Sequence, residues 1–254
     1  MIILGGLIAL FVTVLAFMGP DWAPKDPMEE NLIFKHEDTW YIPPFDVGTP
    51  GYPLGSDMFG RDLLSRIMHG IQPTLVMVVI VAAVRLVLGT LIGLYSGYFS
   101  NWFSRILDWA ISGALTIPVM MVALGAIAMM GTSWGIWSFI IGLSITGWVE
   151  TARMVRDTTI SVRGQDFIEA SRALGASSRE TITRHIFKHI LPMVWMLFAF
   201  EISSAMIVTA GLGFLGYYIG GDVWVDVDDF VARRISGASE LGQLLATSWE
   251  GLNE

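Results

Sequence analysis

Two charged side chains, Arg85 and Glu201, stand inside stretches of sequence that are otherwise apolar. A charged side chain in the middle of a membrane costs roughly 3 kcal/mol or more unless it meets a partner or water. Because the two residues lie at comparable depth in their stretches, we predict an Arg85–Glu201 ion pair, or a water-filled path that both residues line. The alternative is that Arg85 extends its side chain to the membrane interface.

Two other motifs have the residue types of metal or cofactor sites without the required context. His185 and His189 have the i, i+4 spacing of a zinc-binding pair, yet Ile186 stands where the general base of such a site belongs. Residues 211–216 read G-x-G-x-x-G, but they end an apolar helix instead of joining a strand to a helix. We therefore predict no metal site and no nucleotide cofactor in this chain.

The chain also lacks the features of an ATPase or of a cysteine enzyme. No stretch reads G-x-x-x-x-G-K followed by Ser or Thr, and there are no cysteines. An enzyme within the membrane would need converging catalytic groups, for which Arg85, Glu201 and Asp108 are the candidates. No known catalytic spacing joins these three residues, so we predict that the chain is not an enzyme and has no catalytic residue.

The elements that carry these residues are predicted to be membrane-spanning helices. The chain is 54% hydrophobic and 15% charged, against roughly 25% charged residues in soluble domains. A spanning helix needs about 20 mostly apolar residues, and its backbone groups must bond within the segment. We predict an all-α polytopic transmembrane helical bundle with five spans, at residues 1–18, 73–99, 106–130, 135–149 and 193–219.

The charges between the spans predict their orientation. The segment 150–192 contains seven basic residues, whereas the segment 19–72 has nine acidic and four basic residues. Basic loops lie on the cytoplasmic side, which predicts a multi-pass protein of the plasma (inner) membrane with a cytoplasmic N-terminus. Residues 19–72 then form an extracytoplasmic loop with an interfacial helix, residues 73–254 the core domain, and residues 220–254 an external tail.

Helix packing is also marked in the sequence. Gly89, Gly93 and Gly97 recur every four residues in the second span. Small residues at this spacing line one face of a helix and let another helix approach closely. Within the third span, Pro118 is expected to kink the helix.

The cytoplasmic segment 150–192 has a pattern of its own. It contains Glu169-Ala170-Ser171-Arg172, then Gly175, a basic run, and finally Ile190-Leu191-Pro192. Ala, Leu, Arg and Glu favour a helix, which a glycine can end. The pattern indicates a docking surface for a cytoplasmic partner, and the alternative is a solvated basic loop.

Three parts of the chain together resemble one branch of the ABC importer permeases, which imports dipeptides, oligopeptides and, in some members, nickel complexes. Residues 53–66 read Pro-Leu-Gly-Ser-Asp-Met-Phe-Gly-Arg-Asp-Leu-Leu-Ser-Arg and resemble a box of that branch. Residues 147–177 are similar to its coupling loop, and Gly213-Phe-Leu-Gly216 is similar to its Ser-Phe-Leu-Gly. In this order along the chain, the three boxes indicate the second, shorter permease of a heterodimer.

The resemblance implies a permease subunit that forms half of the translocation path for peptides or a related small solute. ATP would be bound by a partner, and its energy would reach the spans through residues 169–192. The implied partners are a homologous permease, ABC ATPase subunits, an extracytoplasmic solute-binding protein and the lipid membrane, with no nucleic acid. A nickel-chelate importer of the same branch and a truncated, non-functional fragment are the alternatives.

In this resemblance, Glu169, Ala170, Ser171, Arg172 and Gly175 belong to the first of two short coupling helices that meet near the glycine. Ile190, Leu191 and Pro192 end the second coupling helix. Leu191-Pro192 come four residues later than in the family pattern, so we expect the second helix to be about one turn longer. The acidic residues 222–229 are unlike the usual outer loop, and a sixth span is expected where the chain ends.

Overall fold

A computed structural model describes residues 2–131, 134–219, 222–228, 231–236 and 241–250 of the chain. The predicted helical membrane fold is confirmed, with two small antiparallel sheets in addition. The chain forms two compact units. One consists of Met1–Met77, Met130–Ile136 and Thr209–Glu254, and the other of Val78–Met129 and Trp137–Val208.

In chain order, the described elements are helices with two pairs of antiparallel strands between them. The helices are α1 (Ile2–Trp22), α2 (Leu63–Tyr98), α3 (Trp102–Ala114), α4 (Val119–Met130), α5 (Ile136–Arg163), α6 (Asp166–Ala173), α7 (Ser178–Glu180), a π-helical segment (Thr181–Ile186), α8 (Phe187–Phe214) and α9 (Leu241–Glu250). The strands are β1 (Phe34–His36), β2 (Thr39–Tyr41), β3 (Asp222–Asp228) and β4 (Val231–Ser236). Strand β1 pairs with β2, and β3 with β4, both antiparallel.

Three of the described helices are long and apolar enough to cross a membrane: Ile3–Trp22, Leu63–Tyr98 and Ser178–Phe214. They correspond to the first, second and fifth predicted spans. The pair α3 and α4 counts as a fourth if it is one broken span. The predicted number of five spans therefore stays a prediction.

The third predicted span, residues 106–130, is not one straight helix. Helix α3 ends at Ala114 and α4 begins at Val119, with a bend of 92° between them. Pro118 stands immediately before α4, where its missing N–H and fixed φ are tolerated. The proline thus breaks the helix completely instead of kinking it.

The boundary between the predicted interfacial helix and the second span was wrong. Helix α2 runs without a break from Leu63 to Tyr98, and Pro73 lies inside it. The amphipathic residues after Arg61 are therefore the first turns of a 36-residue helix. Pro73 lies three turns into this helix and does not interrupt it.

Helix α5 also differs from the fourth predicted span, residues 135–149. It begins at Ile136 and continues to Arg163, and it is not among the helices that meet the criteria of length and apolarity for a span. The apolar part is short, and the helix then continues through Glu150 and Arg153 into polar sequence. The same helix therefore carries a candidate span and the first part of the predicted cytoplasmic loop.

The first unit contains a buried charge cluster in the segment that precedes α2. The Asp57 carboxylate accepts hydrogen bonds from Arg61 Nε at 2.8 Å and from Arg66 Nη1. Its other oxygen accepts from the backbone N–H groups of Phe59 and Arg61 at 2.9 and 3.0 Å. Arg61 and Arg66 are both buried. One carboxylate thus organises the box of residues 53–66.

The predicted external tail, residues 220–254, is described in part. Strands β3 and β4 pair Asp222 with Ser236 and Val225 with Arg233, and α9 follows. Within the first unit, Gly242 at the start of α9 lies against Gly213 of α8. Asp229 of the acidic run and the last four residues lie outside the described residues.

Candidate functional site

Helix α6 contains the Glu-Ala-Ser-Arg pattern and ends as its sequence requires. Glu169 lies in its first turn and Arg172 in its last turn, where each charge is favoured by the helix dipole. Beyond its end, the N–H of Gly175 bonds to the carbonyl of Arg172 and the N–H of Ala176 to that of Ser171, at 2.9 and 3.1 Å. This is a Schellman motif, whose left-handed position is occupied by Gly175 with φ of +91°.

One face of α6 is anchored and the other is exposed. Ile168 is fully buried, whereas Phe167, Glu169 and Arg172 are exposed. Leu174, at the tip of the segment, is 89% exposed. A large apolar side chain presented in this way beside charged residues is typical of a protein contact surface.

The second coupling helix that the resemblance implied is not a separate element. Helix α7 begins after Ser177, whose hydroxyl caps it by accepting a hydrogen bond from Glu180 N–H at 3.2 Å. It continues through the π-helical segment into α8, and together they form one helix from Ser178 to Phe214. The four extra residues are absorbed in this continuous helix, in which Ile190 is buried while Leu191 and Pro192 are exposed.

The π-helical segment and α8 are in direct contact with α6. Ser171 Oγ lies 3.3 Å from His185 Nε2, and the ring of Phe167 lies 6.4 and 6.3 Å from those of His185 and His189. The two histidines therefore pack against an aromatic ring. Among the described residues, no group of three or more His, Asp or Glu side chains could hold a metal ion.

A hydrophobic cluster joins this segment to the spans of the second unit. Its buried members come from α2, α5, α6, the π-helical segment and α8: Leu94, Tyr98, Val155, Val162, Ile168, Ile186, Ile190 and Leu197. Burying an apolar side chain stabilises a structure by about 1.5–3 kcal/mol where water is displaced. Because Ile168 belongs to this cluster, α6 is packed onto the spans and does not hang free.

The structure brings Arg85 and Glu201 together. Arg85 Nη1 donates to Glu201 Oε2 at 3.4 Å, and the side chains are 1% and 2% exposed. Arg85 Nε and Nη2 both donate to the backbone carbonyl of Leu143, at 2.8 and 2.6 Å. Glu201 accepts a further bond from the Thr151 hydroxyl at 2.5 Å. Arg85 therefore lies inside the helical bundle and does not extend to the membrane interface. Its hydrogen bonds connect α2, on which it lies, with α5 and α8.

Helices α2 and α5 pack closely enough for Arg85 of α2 to contact the backbone of α5. At Gly89, Gly93 and Gly97, an added Cβ atom would come within 2.8, 2.5 and 2.7 Å of atoms of α5. The predicted glycine face is therefore a helix contact. Gly147 of α5 faces Arg85 itself, and the guanidinium occupies the space that a Cβ there would need.

A second ion pair connects α3 to α5 nearer the predicted cytoplasmic side. Arg156 Nη2 donates to Asp108 Oδ2 at 2.9 Å, and Arg156 Nε donates to Oδ1. Arg156 also bonds to Asp157 at 3.0 Å. Hydrogen bonding to Asp108 raises the pKa of Arg156. Asp108 is thus the partner of Arg156 in an ion pair between two helices.

Sequence reasoning missed several groups of this arrangement. Leu143 contributes only its backbone carbonyl, which no side-chain pattern could have indicated. Gly147 and Thr151 lie four residues apart on α5, but nothing in the sequence connects them to Arg85. Tyr98 ends α2 and contacts Arg163 of α5 and Arg172 of α6. In the sequence it is marked only as an aromatic residue before a loop, which is a common pattern.

Comparisons with known proteins decide the family. Residues 89–238, more than half of the chain, match the family described as binding-protein-dependent transport system inner membrane component. The chain belongs to this family. It is therefore a permease, a membrane component of an ABC importer, and the prediction that it is not an enzyme is confirmed on this ground.

Relatives with assigned names agree with the family. The permease is 30% identical over 218 residues to the oligopeptide transport system permease protein OppC of Mycobacterium bovis, covering 85% of this chain and 70% of the relative. It is 28% identical over 216 residues to the di/tripeptide transport system permease protein DppC of Pseudomonas aeruginosa, covering 84% and 69%. The glutathione transport system permease protein GsiD of Pectobacterium atrosepticum is 30% identical over 163 residues, covering 64% and 54%.

A solved structure shares the fold. A chain of the MetNI methionine ABC transporter in an inward-facing conformation aligns with a TM-score of 0.55 and 20% identity, covering 70% of the permease and 77% of that chain. At this identity the likeness supports the fold alone. It agrees with a helical permease fold for the described residues.

Proposed function

We propose that the permease forms half of the path through which an ATP-driven importer moves peptides or a related small solute. Support for this solute class comes from the relatives, which are named for oligopeptides, for di- and tripeptides and for glutathione. Their names describe those proteins, and uptake of labelled oligopeptides into cells, competed by unlabelled peptide and by a nickel chelate, tests the assignment here. Competition by the chelate alone would overturn it.

The single observation that carries the mechanism is the exposed end of α6. Leu174 is 89% exposed on a helix whose opposite face is anchored by the buried Ile168. We infer that Glu169, Ala170, Ser171, Arg172 and Gly175 form the surface that meets a separate ATPase. Ile190 supports this surface from within the hydrophobic cluster, and the exposed Leu191 and Pro192 flank it.

We propose that a partner binds the ATP. The absence from the sequence of a phosphate-binding loop of the G-x-x-x-x-G-K type supports this proposal. We propose that ABC ATPase subunits, a homologous permease and an extracytoplasmic solute-binding protein complete the importer. The family description, which names a binding protein, supports the last of these.

The proposed orientation places the N-terminus in the cytoplasm. The basic residues of α5, α6 and the following helix lie together in the segment 150–192, and cytoplasmic loops collect Lys and Arg. In this orientation α6 faces the ATPase and the acidic segment 19–72 faces outward.

The Arg85–Glu201 pair has a structural role in this proposal. Its hydrogen bonds connect α2, α5 and α8 within the membrane. Because a buried pair is hard to break in lipid, we propose that these helices keep their contacts near Arg85 while the path opens and closes.

A pull-down tests the coupling surface. The tagged permease, co-expressed with the products of its neighbouring genes, is purified as wild type, as Leu174→Asp and as the matched control Val47→Asp. Val47 is also a highly exposed aliphatic residue, at 76%, but it lies in the predicted outer segment. We expect an ATPase with the wild type and with Val47→Asp and none with Leu174→Asp. Equal recovery in all three samples would overturn the assignment of the surface.

A further inference from the structure

Tyr98, the last residue of α2, is enclosed by side chains of the neighbouring helices. Its side chain is buried, at 4% exposed. The guanidinium carbon of Arg172 in α6 lies 5.0 Å from the centre of the ring, and that of Arg163 at the end of α5 lies 6.0 Å from it. A guanidinium within about 6 Å of an aromatic ring is attracted to its face. The ring therefore joins α2 to both α5 and α6.

Other contacts of Tyr98 extend this connection. Its side chain belongs to the hydrophobic cluster that also contains Ile168 of α6 and Ile186 of the π-helical segment. The backbone carbonyl accepts a hydrogen bond from Arg163 Nη1 at 2.7 Å. The end of α2 is thus held by α5, by α6 and by the π-helical segment.

The other contacts of α6 reach the following helix and the hydrophobic cluster. Phe167 and Ser171 attach it to His185 in the helix that follows, and Ile168 anchors it in the cluster, which includes Tyr98. Arg172 attaches it to α2 through the Tyr98 ring. Movement of α6 that leaves these contacts intact therefore has a direct route into the span that also carries Arg85.

We propose that Tyr98 is the positioning residue through which α6 transmits its movement to α2 and α5. The inference rests on the proposed function, in which α6 receives the ATPase. A packed tyrosine has two side-chain torsions and little freedom, so displacing Arg172 has to displace the ring or break their contact. Replacing Tyr98 by Phe keeps the ring and both guanidinium contacts, whereas Leu removes the aromatic face that the guanidinium groups meet.

The absence of cysteine makes a direct test practical. Cysteines are introduced at Val87, an exposed position of α2, and at Ala173, an exposed position of α6, and both are spin-labelled. The distance distribution between the labels is measured by pulsed electron paramagnetic resonance. The sample is the full chain, purified with co-expressed partners that lack reactive cysteines and placed in lipid nanodiscs.

Three variants are compared with the unsubstituted background. Tyr98→Leu removes the aromatic ring, and Arg172→Gln removes the guanidinium that attaches α6 to it. The matched control is Tyr98→Phe, which keeps the ring and both guanidinium contacts. We expect a narrow distribution in the background and in Tyr98→Phe, and a broader one in Tyr98→Leu and Arg172→Gln. If Tyr98→Leu yields no folded protein, Arg172→Gln decides.

The same width in all four samples would overturn the proposal, because α6 would then hold its position without the contact between Arg172 and the Tyr98 ring. Recovery of the ATPase is recorded on the same preparations. If no sample, including the background, retains an ATPase, the proposed function has failed, while the comparison of widths still decides whether Tyr98 positions α6. A second control, Arg172→Lys, restores a cation at this position and is expected to narrow the distribution again, which separates loss of this contact from general loosening of the fold.

Discussion

The guanidinium of Arg85 occupies the space beside Gly147 in which any larger residue would place its Cβ atom. From there it reaches the carbonyl of Leu143 one turn away and the carboxylate of Glu201. Gly147 is therefore required because the Arg85 side chain fills the space beside it, and not because of its backbone conformation. Adding a single methyl group at this position would disturb the hydrogen bonds of Arg85.

Gly147→Ala is expected to destabilise the permease by about 1–3 kcal/mol, because the added methyl group displaces a well-packed guanidinium. The measurement is thermal unfolding of the purified protein in detergent. Gly125→Ala in α4 is the matched control, since nothing lies within 4 Å of its added Cβ, and it should leave the unfolding temperature unchanged or raise it. Equal effects of the two substitutions would contradict the assigned role of Gly147.

Removal of one partner of the Arg85–Glu201 pair should cost more than removal of both. Arg85→Met or Glu201→Gln leaves a charged or polar group buried without its partner, which costs about 3–5 kcal/mol. The double substitution Arg85→Met with Glu201→Met should recover part of this loss. A double-mutant cycle on assembly and unfolding measures the coupling. Additive effects, or an Arg85→Met variant that assembles and transports normally, would show that the pair is unimportant.

The ion pair of Asp108 and Arg156 should contribute less. Its two side chains are 26% and 28% exposed, so solvent weakens the attraction, and such pairs contribute about 1 kcal/mol or less. Asp108→Asn is therefore expected to lower stability less than Glu201→Gln in the same unfolding assay. A larger loss of stability in Asp108→Asn than in Glu201→Gln would contradict the expectation that the more buried pair contributes more.

Some residues of this site could be predicted from the sequence and others could not. The Arg85–Glu201 pair could be predicted from the similar depth of the two residues in apolar stretches, because an unpaired charge in the membrane is costly. The glycine face of α2 followed from spacing. Gly147, Thr151 and Tyr98 could not be predicted, because their roles depend on which helix lies opposite, and that is fixed by long-range packing.

The fold was predictable to a similar degree. Apolar length located the three long apolar helices, but it misjudged how far helices continue beyond their apolar parts. Helix α2 continues through Pro73, and α5 continues through Glu150 to Arg163. Hydropathy falls where a helix leaves the membrane, but the backbone hydrogen bonds of the helix continue. A change in composition therefore marks the interface and not the end of the helix.

Asp57→Asn is expected to destabilise the segment before α2. Two buried guanidinium groups, of Arg61 and Arg66, share the Asp57 carboxylate, and removal of its charge weakens the ion pairs of both, at a cost of about 3–5 kcal/mol. Limited proteolysis from the outer side of sealed vesicles measures the effect. Asp46→Asn, at an exposed side chain, is the control. Equal cleavage of the two variants would contradict the organising role of Asp57.

Gly175 tests the end of α6. Its φ of +91° strains any residue with a Cβ, yet nothing lies within 4 Å of an added Cβ, so strain acts without a clash. Gly175→Val should weaken recovery of the ATPase by loosening the Schellman motif, whereas Gly175→Asn should be milder, because Asn tolerates this region better. Pull-down of the two variants in parallel is the measurement. Normal recovery with Gly175→Val would show that the shape of this turn does not matter for docking.

The most direct test of coupling through α6 is site-specific cross-linking in this cysteine-free chain. Leu174→Cys and the outer control Val47→Cys are each treated with a short thiol- and amine-reactive cross-linker in membranes that contain the co-expressed importer. We expect Leu174→Cys to form an adduct with the ATPase and Val47→Cys to form none. Absence of an ATPase adduct at Leu174, or an equal adduct at Val47, would contradict this expectation.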